Sequence, residues 1–132
     1  MTPPPTLSPT SAQIPYTTPV VTIAPPTTVV DAYYGTATHY GVQYQDSPQG
    51  CPGTPAYDTN NPYILAVGPA MYAEWPCGTV LRITGPAGSL DIARSDSCPG
   101  CSGANIDLSE AGQAIICGAV GANCAVTIER AR

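Results

Sequence analysis

The amino-acid sequence predicts an all-β domain in which short strands close into a small barrel. Three observations predict this fold: the segments rich in β-forming residues are short, Gly and Pro separate them, and only one stretch has a helical pattern. The 132 residues amount to about one domain and include 16 Pro, 13 Gly and six Cys. This composition excludes a coiled coil, a helical bundle and a typical cytosolic enzyme. The strand pattern alone leaves a two-sheet sandwich open.

The first 30 residues differ from the rest of the chain. They hold half of the prolines and no charged residue. Such Pro/Thr-rich sequence favours extended polyproline II and cannot bury enough apolar surface to offset its ordering entropy, so residues 1–30 are expected to be a disordered linker. Tracts of this kind are often O-glycosylated in secreted proteins. The stretch is not a signal peptide, because it has neither a basic n-region nor a long apolar run.

The folded domain is expected over residues 31–132, which contain every charged residue and every cysteine. Five segments are predicted to be strands: residues 33–39, 63–67, 79–84, 89–94 and 125–129. The sequence Gly85-Pro86-Ala87-Gly88 is predicted to join the third and fourth strands as a hairpin. Residues 41–62 form a long loop rich in Gly and Pro.

One helix is predicted near the C-terminus. Ser109 is a good N-cap, and Gly118 is expected to end the helix. Its buried face is expected to carry Ala111, Ala114, Ile115 and Cys117.

The charge balance restricts the partners. Nine acidic and four basic side chains give a net charge of -5 and a pI near 4.3, whereas nucleic-acid binding needs a basic surface. No apolar run approaches the roughly 18 residues of a membrane span. We therefore expect neither nucleic acid nor a membrane as the partner, and an uncharged partner fits best.

The six cysteines are expected to form disulfides, since their number is even and the Thr/Pro-rich tract is typical of secreted proteins. The Cys98-Pro99-Gly100-Cys101 segment also fits a redox or zinc motif. However, no second pair has ligand spacing, no βαβ pattern surrounds the segment, and His39 is the only histidine. We therefore expect no metal and no cofactor. The six residues are Cys51, Cys77, Cys98, Cys101, Cys117 and Cys124.

Three segments carry a resemblance to a known family. They are residues 35–41 (Gly-Thr-Ala-Thr-His-Tyr-Gly), residues 76–79 (Pro-Cys-Gly-Thr), and residues 95–101 (Ser-Asp-Ser-Cys-Pro-Gly-Cys) running into Ile-Asp-Leu-Ser at 106–109. In this order and spacing they resemble the double-psi β-barrel of expansins, over about residues 32–128. The resemblance is closest to the loosenins, single-domain microbial expansin-like proteins, because no second, carbohydrate-binding domain follows Arg132. Barwin-like proteins, family 45 endoglucanases and the bacterial rare lipoprotein A share this barrel.

The resemblance implies a fold and a disulfide framework. The fold is a six-stranded double-psi β-barrel with one or two short helices, stapled by disulfides. In similar barrels the cysteine of the long loop tends to join the Cys-Gly before the hairpin, which implies a Cys51–Cys77 bridge. For Cys98, Cys101, Cys117 and Cys124, two local bridges and two crossed bridges are both open, and the local pair is preferred.

The resemblance also implies a groove that binds a β-linked polysaccharide such as cellulose, chitin or peptidoglycan. Asp107 would lie at its centre, with Asp96 as the second groove aspartate and Thr38 as a groove threonine. In the related endoglucanases the position of Asp107 is a general acid, and in expansins it is needed for wall loosening although no hydrolysis is detected. The sequence departs from the pattern at Tyr40, which replaces a threonine, and at Cys98, which replaces an aromatic residue.

Elementary chemistry argues against hydrolysis. Cleavage of a glycosidic bond ordinarily needs two carboxyl groups, one protonated and one ionised. The endoglucanases take the base from the first strand, whereas residues 36–41 contain no carboxylate. We expect Asp96 to orient Asp107 or to share a proton with it. No hydrolase activity is therefore expected; any activity would resemble that of an endoglucanase or a lytic transglycosylase.

Aromatic side chains are candidates for stacking on sugar rings, because their faces match the apolar faces of pyranoses. For Trp75, and for Tyr72 beside it, packing in the core is an equal alternative. The stacking candidates are Tyr40, Tyr44 and Trp75.

Four polar side chains also have purely structural interpretations. Asp107 could be a turn or capping residue before the helix. Asp46 and Asp58 are predicted to be solvated turn residues. His39 is predicted to face outward or to fill a polar pocket.

Two functions follow from these predictions. The first is a secreted, monomeric protein that binds cell-wall polysaccharide and loosens it without hydrolysis, using Asp107, Asp96, Thr38 and the groove aromatics. The second is a protein-binding barrel, such as a protease inhibitor or secreted effector, whose loops make the contacts.

Overall fold

The computed structural model describes residues 31–132, so the predicted linker of residues 1–30 lies outside the described residues. One α-helix, α1, spans Glu110–Cys117, and short 3-10 turns lie at Val42–Tyr44 and Pro69–Met71. No helix in the described part is long and apolar enough to cross a membrane. The strands are β1 Ala32–His39, β2 Leu65–Val67, β3 Val80–Thr84, β4 Ser89–Ala93, β5 Asp96–Ser97, β6 Ile106–Leu108 and β7 Cys124–Arg130.

The seven strands form one curled sheet, in the order β4-β3-β7-β1-β6-β2-β5. In a flat sheet the two outer strands would lie six interstrand spacings, or about 29 Å, apart. However, only Arg94 and Ser95 separate the end of β4 from the start of β5, and three Cα–Cα steps reach no more than about 11 Å. The sheet must therefore curl until its edges meet. The mostly-β, barrel-like architecture predicted from the sequence is confirmed.

The strand count differs from the six that the resemblance implied. The chain passes from β4 into β5 within two residues, and Ser95 N–H donates to Leu65 O as the chain turns toward β2. β5 therefore continues β4 after a bend and pairs with a different neighbour. The predicted strand 63–67 begins only at Leu65.

A single core fills the curled sheet. Alternate residues of the strands point inward, and Ile116 of α1 packs on them. The buried side chains are Ala37, Leu65, Val67, Met71, Trp75, Leu81, Ile83, Ile92, Ile106, Leu108, Ile116, Val126 and Ile128. Three disulfides, Cys51–Cys77, Cys98–Cys101 and Cys117–Cys124, staple this core and its loops, which are the pairs the sequence analysis favoured.

The helix begins and ends where the sequence predicts. The Ser109 hydroxyl accepts a hydrogen bond from Gly112 N–H at 3.1 Å, and Gly118 ends the helix in the left-handed region, with φ of 99°. The predicted buried face is correct only in part. Cys117 packs against the core as predicted, whereas Ile115 is 43% exposed and the fully buried positions of the helix are Gly112, Gln113 and Ile116.

Candidate functional site

Four residues form a row across neighbouring strands on the outer face of the sheet. Thr38 of β1 is paired with Asp107 of β6, Asp107 with Ala66 of β2, and Ala66 with Asp96 of β5. Paired residues of adjacent strands project to the same face of a sheet. The register therefore brings Thr38, Asp107 and Asp96 together, although they come from three separated parts of the chain.

The alternation of the strands separates this row from the core. The neighbours of the row, Ala37, Ile106, Leu65 and Val67, are all fully buried and point inward. Ala66 is the smallest side chain in the row and lies between the two aspartates. The Cα atoms of Asp96 and Asp107 are two interstrand spacings, about 10 Å, apart, and the methyl group of Ala66 leaves the space between their carboxyl groups open.

A groove of about 270 Å³ lies over three members of this row, Ala66, Asp96 and Asp107, whereas Thr38 does not line it and reaches it only through its contact with Asp107. Asp96, Asp107 and Ala66 form its floor, and Cys98 and Pro99 of the Cys98–Cys101 loop form one wall. The other residues that line it are Tyr40, Tyr44, Ser47, Pro48, Tyr57 and Ser97.

Asp107 is a half-buried carboxyl group that lines the groove. Burial raises the pKa of Asp107 above its ordinary value, the Asp96 charge raises it further, and the Thr38 hydrogen bond and His39 act in the opposite direction. The Thr38 hydroxyl lies 3.1 Å from Oδ1 of Asp107 and 3.1 Å from the Ile106 carbonyl oxygen. It has one proton, so it can donate to an ionised Asp107, or donate to Ile106 and accept from a protonated Asp107. The Thr38 hydroxyl can therefore form a hydrogen bond with either protonation state of Asp107.

Asp96 accepts hydrogen bonds from residues in the wall of the groove and so holds that wall in place. Its Oδ1 accepts from the N–H groups of Gly50, at 2.6 Å, and Ser97, at 2.9 Å. Its Oδ2 accepts from the Tyr40 hydroxyl at 3.2 Å. With three donors already in place, this carboxylate is poorly placed to activate a water molecule. It holds the long loop and the end of β1 against β5.

Arg94 fixes the position of Asp96, and sequence reasoning missed this role. It is nearly buried and donates to Asp96 O at 3.2 Å, Trp75 O at 3.0 Å and Ser97 Oγ at 2.8 Å. Its guanidinium group also lies 4.7 Å from the ring centroid of Tyr72, a cation–π distance. No sequence pattern identifies these acceptors, because two of them are backbone carbonyls.

Three tyrosines build the aromatic wall. The Tyr40 ring lies 4.2 Å from that of Tyr57 and 5.9 Å from that of Tyr44, centroid to centroid. Tyr57, which the sequence analysis did not single out, is buried and donates its hydroxyl proton to the backbone oxygen of Tyr40. Burial also raises the pKa of Tyr40, so its hydroxyl stays a donor. Tyr44 is 48% exposed and offers its ring at the rim.

Trp75 is not a groove residue, which corrects one prediction. It is 1% exposed, and its ring packs edge-on against Tyr33 with centroids 5.0 Å apart. A ring without an exposed face cannot stack on a sugar, so the core-packing alternative is correct.

The other candidates occupy simpler positions. Asp46 is an exposed turn residue with φ of 69°, and Asp58 accepts from Asn60 N–H at 3.0 Å within its own turn. His39 is partly buried, with Nε2 4.0 Å from a Glu110 carboxylate oxygen. Within residues 31–132, no cluster of His, Cys, Asp and Glu side chains could hold a metal ion.

The site has one carboxyl group with a raised pKa and no free carboxylate partner on β1. An inverting glycosidase needs a second carboxylate about 6.5 to 9.5 Å away to activate water, and the other carboxylate that lines the groove, Asp96, is engaged by three donors. The arrangement can bind and protonate a sugar oxygen, but it lacks an evident base.

Comparisons with known proteins bear on this site. No family model and no curated protein matches the sequence. Among solved structures, the expansin of Clavibacter michiganensis superposes with a TM-score of 0.61 at 26% identity, over 76% of this chain and 50% of that one. A mutant of the same expansin, solved in complex with cellohexaose, matches at 25% identity. This chain spans about half the length of the expansin it matches.

Two other structures show the fold alone. A Streptomyces papain inhibitor matches with a TM-score of 0.61 at 21% identity, over 79% of this chain and 97% of that one. The fungal elicitor cerato-platanin matches with a TM-score of 0.51 at 17% identity, over 74% of this chain and 92% of that one. The fold of this chain is therefore expansin-like: it is the double-psi β-barrel that these barwin-like structures share.

Proposed function

We propose that the chain is a secreted, monomeric protein that binds a β-linked cell-wall polysaccharide in the groove and loosens the polymer network without hydrolysis. The observation that carries this proposal is the row of Asp107, Ala66 and Asp96 beside an aromatic rim, with Thr38 in contact with Asp107. Carboxyl and hydroxyl groups on the floor suit the hydroxyls of a sugar, and the exposed Tyr44 ring suits its apolar face.

The comparisons support the ligand class in this proposal, and the paired cysteines support secretion. The expansin complex with cellohexaose supports a β-linked glycan as the ligand class. All six cysteines are paired, which is typical of proteins that fold in an oxidising compartment. The occupied oxygens of Asp96 support the absence of hydrolysis. Disrupting hydrogen bonds between polymer chains breaks no covalent bond, so it needs no catalytic base.

Co-sedimentation with insoluble cellulose, chitin and peptidoglycan tests the proposal. The wild-type chain should bind at least one of them, and Tyr44→Ala should weaken that binding by several-fold, up to about tenfold. Tyr63→Ala is the matched control, because Tyr63 is also exposed, at 59% against 48% for Tyr44, but lies outside the groove. Equal loss in both variants, or no binding by wild type to any of the three, would contradict the proposal.

A protein-binding barrel remains the second candidate. The observation that favours it is the papain inhibitor, nearly the whole of which matches this chain. In this alternative the loop of residues 41–62, rather than the groove, would contact a protease. Stoichiometric inhibition of papain, together with no binding to the three polysaccharides, would establish it in place of polysaccharide binding.

A further inference from the structure

A second row of residues leaves β1 in the direction opposite to the groove. Tyr34 of β1 is paired with Thr127 of β7, Thr127 with Thr84 of β3, and Thr84 with Ser89 of β4. Like Thr38, Tyr34 is an even-numbered residue of β1, so both project to the outer face of the sheet. The groove row runs from β1 toward β5, whereas this row runs from β1 toward β4. Because the sheet curls, the two rows face different sides of the barrel.

A shallow depression of about 550 Å³ lies on this second row. Tyr34, Thr36, Thr84, Thr127 and Asn105 line it; we call this surface the Tyr34 face. Tyr34 is 77% exposed, more than any other large apolar or aromatic side chain of residues 31–132. The Asn105 Oδ1 atom accepts from Thr36 N–H at 3.0 Å, so its NH₂ group remains available to donate to another acceptor.

The Tyr34 face carries no charge, although the next row of the same strands is charged. That row contains Glu129, Arg82 and Asp91, with Arg82 and Asp91 joined by a 2.8 Å ion pair. The Tyr34 face has instead one aromatic ring, three threonine hydroxyl groups and one amide group, with small or apolar residues between them. Such a surface complements an uncharged ligand that has both apolar faces and hydroxyl groups.

The size of the Tyr34 face argues against a protein as its partner. Its row spans three interstrand spacings, about 14 Å, and Tyr34 and Thr36 are about 7 Å apart along β1. The resulting area, on the order of 100 Å², is far below the roughly 800 Å² per partner that a stable protein interface buries. A few sugar rings fit such a surface, whereas most of a stable interface with a second copy of the chain would have to lie outside it.

We propose that the Tyr34 face is a second contact surface for an uncharged β-linked glycan, with the Tyr34 ring as the stacking platform. This inference rests on the proposed function, since it assigns a second surface to the same class of ligand. Two surfaces on different sides of one small barrel let the protein contact two neighbouring polymer chains at once. Simultaneous contact raises the apparent affinity for a polymer network above that of either surface alone.

The inference is tested by measuring how the full-length variants bind the polysaccharide that wild type binds in the co-sedimentation experiment. Tyr34→Ala should weaken binding by several-fold, up to about tenfold, and Tyr34→Trp should restore it. Thr84→Arg, which places a long charged side chain on the same row, should weaken binding in the same way. Tyr63→Ala is again the matched control and should bind as wild type does. Thermal unfolding of every variant checks that the barrel is intact.

A bridging measurement separates this surface from the groove. Wild type should draw dispersed polysaccharide fibrils into sedimenting aggregates, whereas Tyr34→Ala should bind fibrils through the groove without aggregating them. Loss of binding in Tyr44→Ala with unchanged binding and bridging in Tyr34→Ala would overturn the inference and leave the proposed function standing. No binding by wild type would overturn both. A wild-type dimer that Tyr34→Ala dissociates would overturn the inference in favour of a second copy of the chain.

Discussion

The hydroxyl group of Tyr40 donates a hydrogen bond of 3.2 Å to Oδ2 of Asp96, across 56 positions of sequence. This contact joins the end of β1 to β5 and closes the groove at one side. It also explains a departure from the expansin pattern, which has a threonine at the position of Tyr40. The longer side chain reaches a carboxylate, and its ring packs at tilted angles against the rings of Tyr44 and Tyr57.

Tyr40→Phe is expected to lower the free energy of unfolding by about 1 kcal/mol, because it removes a partly buried hydrogen bond to a carboxylate and keeps the ring packing. Chemical denaturation measures this change. Tyr44→Phe is the control, since the Tyr44 ring lies at the exposed rim, and it should unfold as wild type does. Equal stability of Tyr40→Phe and wild type would show that the contact with Asp96 contributes nothing.

The pKa of Asp107 predicts a pH dependence of stability. Burial raises this pKa in the folded protein, so the folded state holds a proton that the unfolded chain has already released. Stability contributed by Asp107 is therefore complete below its unfolded pKa, about 3.8, and is lost as pH rises through the higher folded pKa. The Asp107→Asn variant has no titrating group at this position, so its stability does not fall in this way.

Urea unfolding of both proteins from pH 3 to pH 8 measures the effect. The stability of Asp107→Asn relative to wild type should rise with pH over the interval above pH 3.8 and then level off. The difference between the two proteins cancels the titration of all other groups. A relative stability that falls with pH would mean that the carboxylate is stabilised in the fold.

The Cys51–Cys77 bridge is expected to contribute most among the disulfides. It closes the longest loop, with a sequence separation of 26 against 7 and 3 for the other two. Chain-entropy arguments give about 3 kcal/mol for such a loop. The double variant Cys51→Ala, Cys77→Ala should lose about this much in the free energy of unfolding. Cys98→Ala, Cys101→Ala should lose less. The reverse order would contradict the entropic account.

Removal of residues 1–30 is expected to leave thermal stability unchanged. Residues 31–132 contain the sheet, the core and all three disulfides. A chain that begins at Asp31 should melt within about two degrees of the full chain, since the sequence of residues 1–30 has no patterned apolar face that the barrel could need. A loss of several degrees, measured by calorimetry, would show that the tail packs on the barrel.

The sequence predicted the elements that depend on local signals. The hairpin of β3 and β4 follows from the turn at residues 85–88, and the helix follows from Ser109 and Gly118. β5 and β6 were missed, because two or three residues are too few to show alternation. Yet these two strands carry Asp96 and Asp107.

Long-range contacts explain the remaining differences. The resemblance placed Asp107, Asp96 and Thr38 in one groove, but only the register around Ala66 shows how they are spaced. Tyr57 and Arg94 were missed because their partners are backbone oxygens distant in sequence or across a loop. Trp75 could belong to the core or to the surface until the position of Tyr33 was known. A single aromatic residue in a loop carries no periodicity that would decide between the two.

The central claim is that Asp107 acts in loosening without a catalytic base, and one paired measurement tests it most directly. Extension of a polysaccharide network under constant load and release of reducing sugar are recorded together from pH 4 to pH 7, with wild type, Asp107→Asn and the control Asp91→Asn, whose carboxylate pairs with Arg82 outside the groove. We expect wild type and Asp91→Asn to loosen the network without releasing sugar, and Asp107→Asn to lose loosening. Steady sugar release by wild type, or full loosening by Asp107→Asn, would contradict the account.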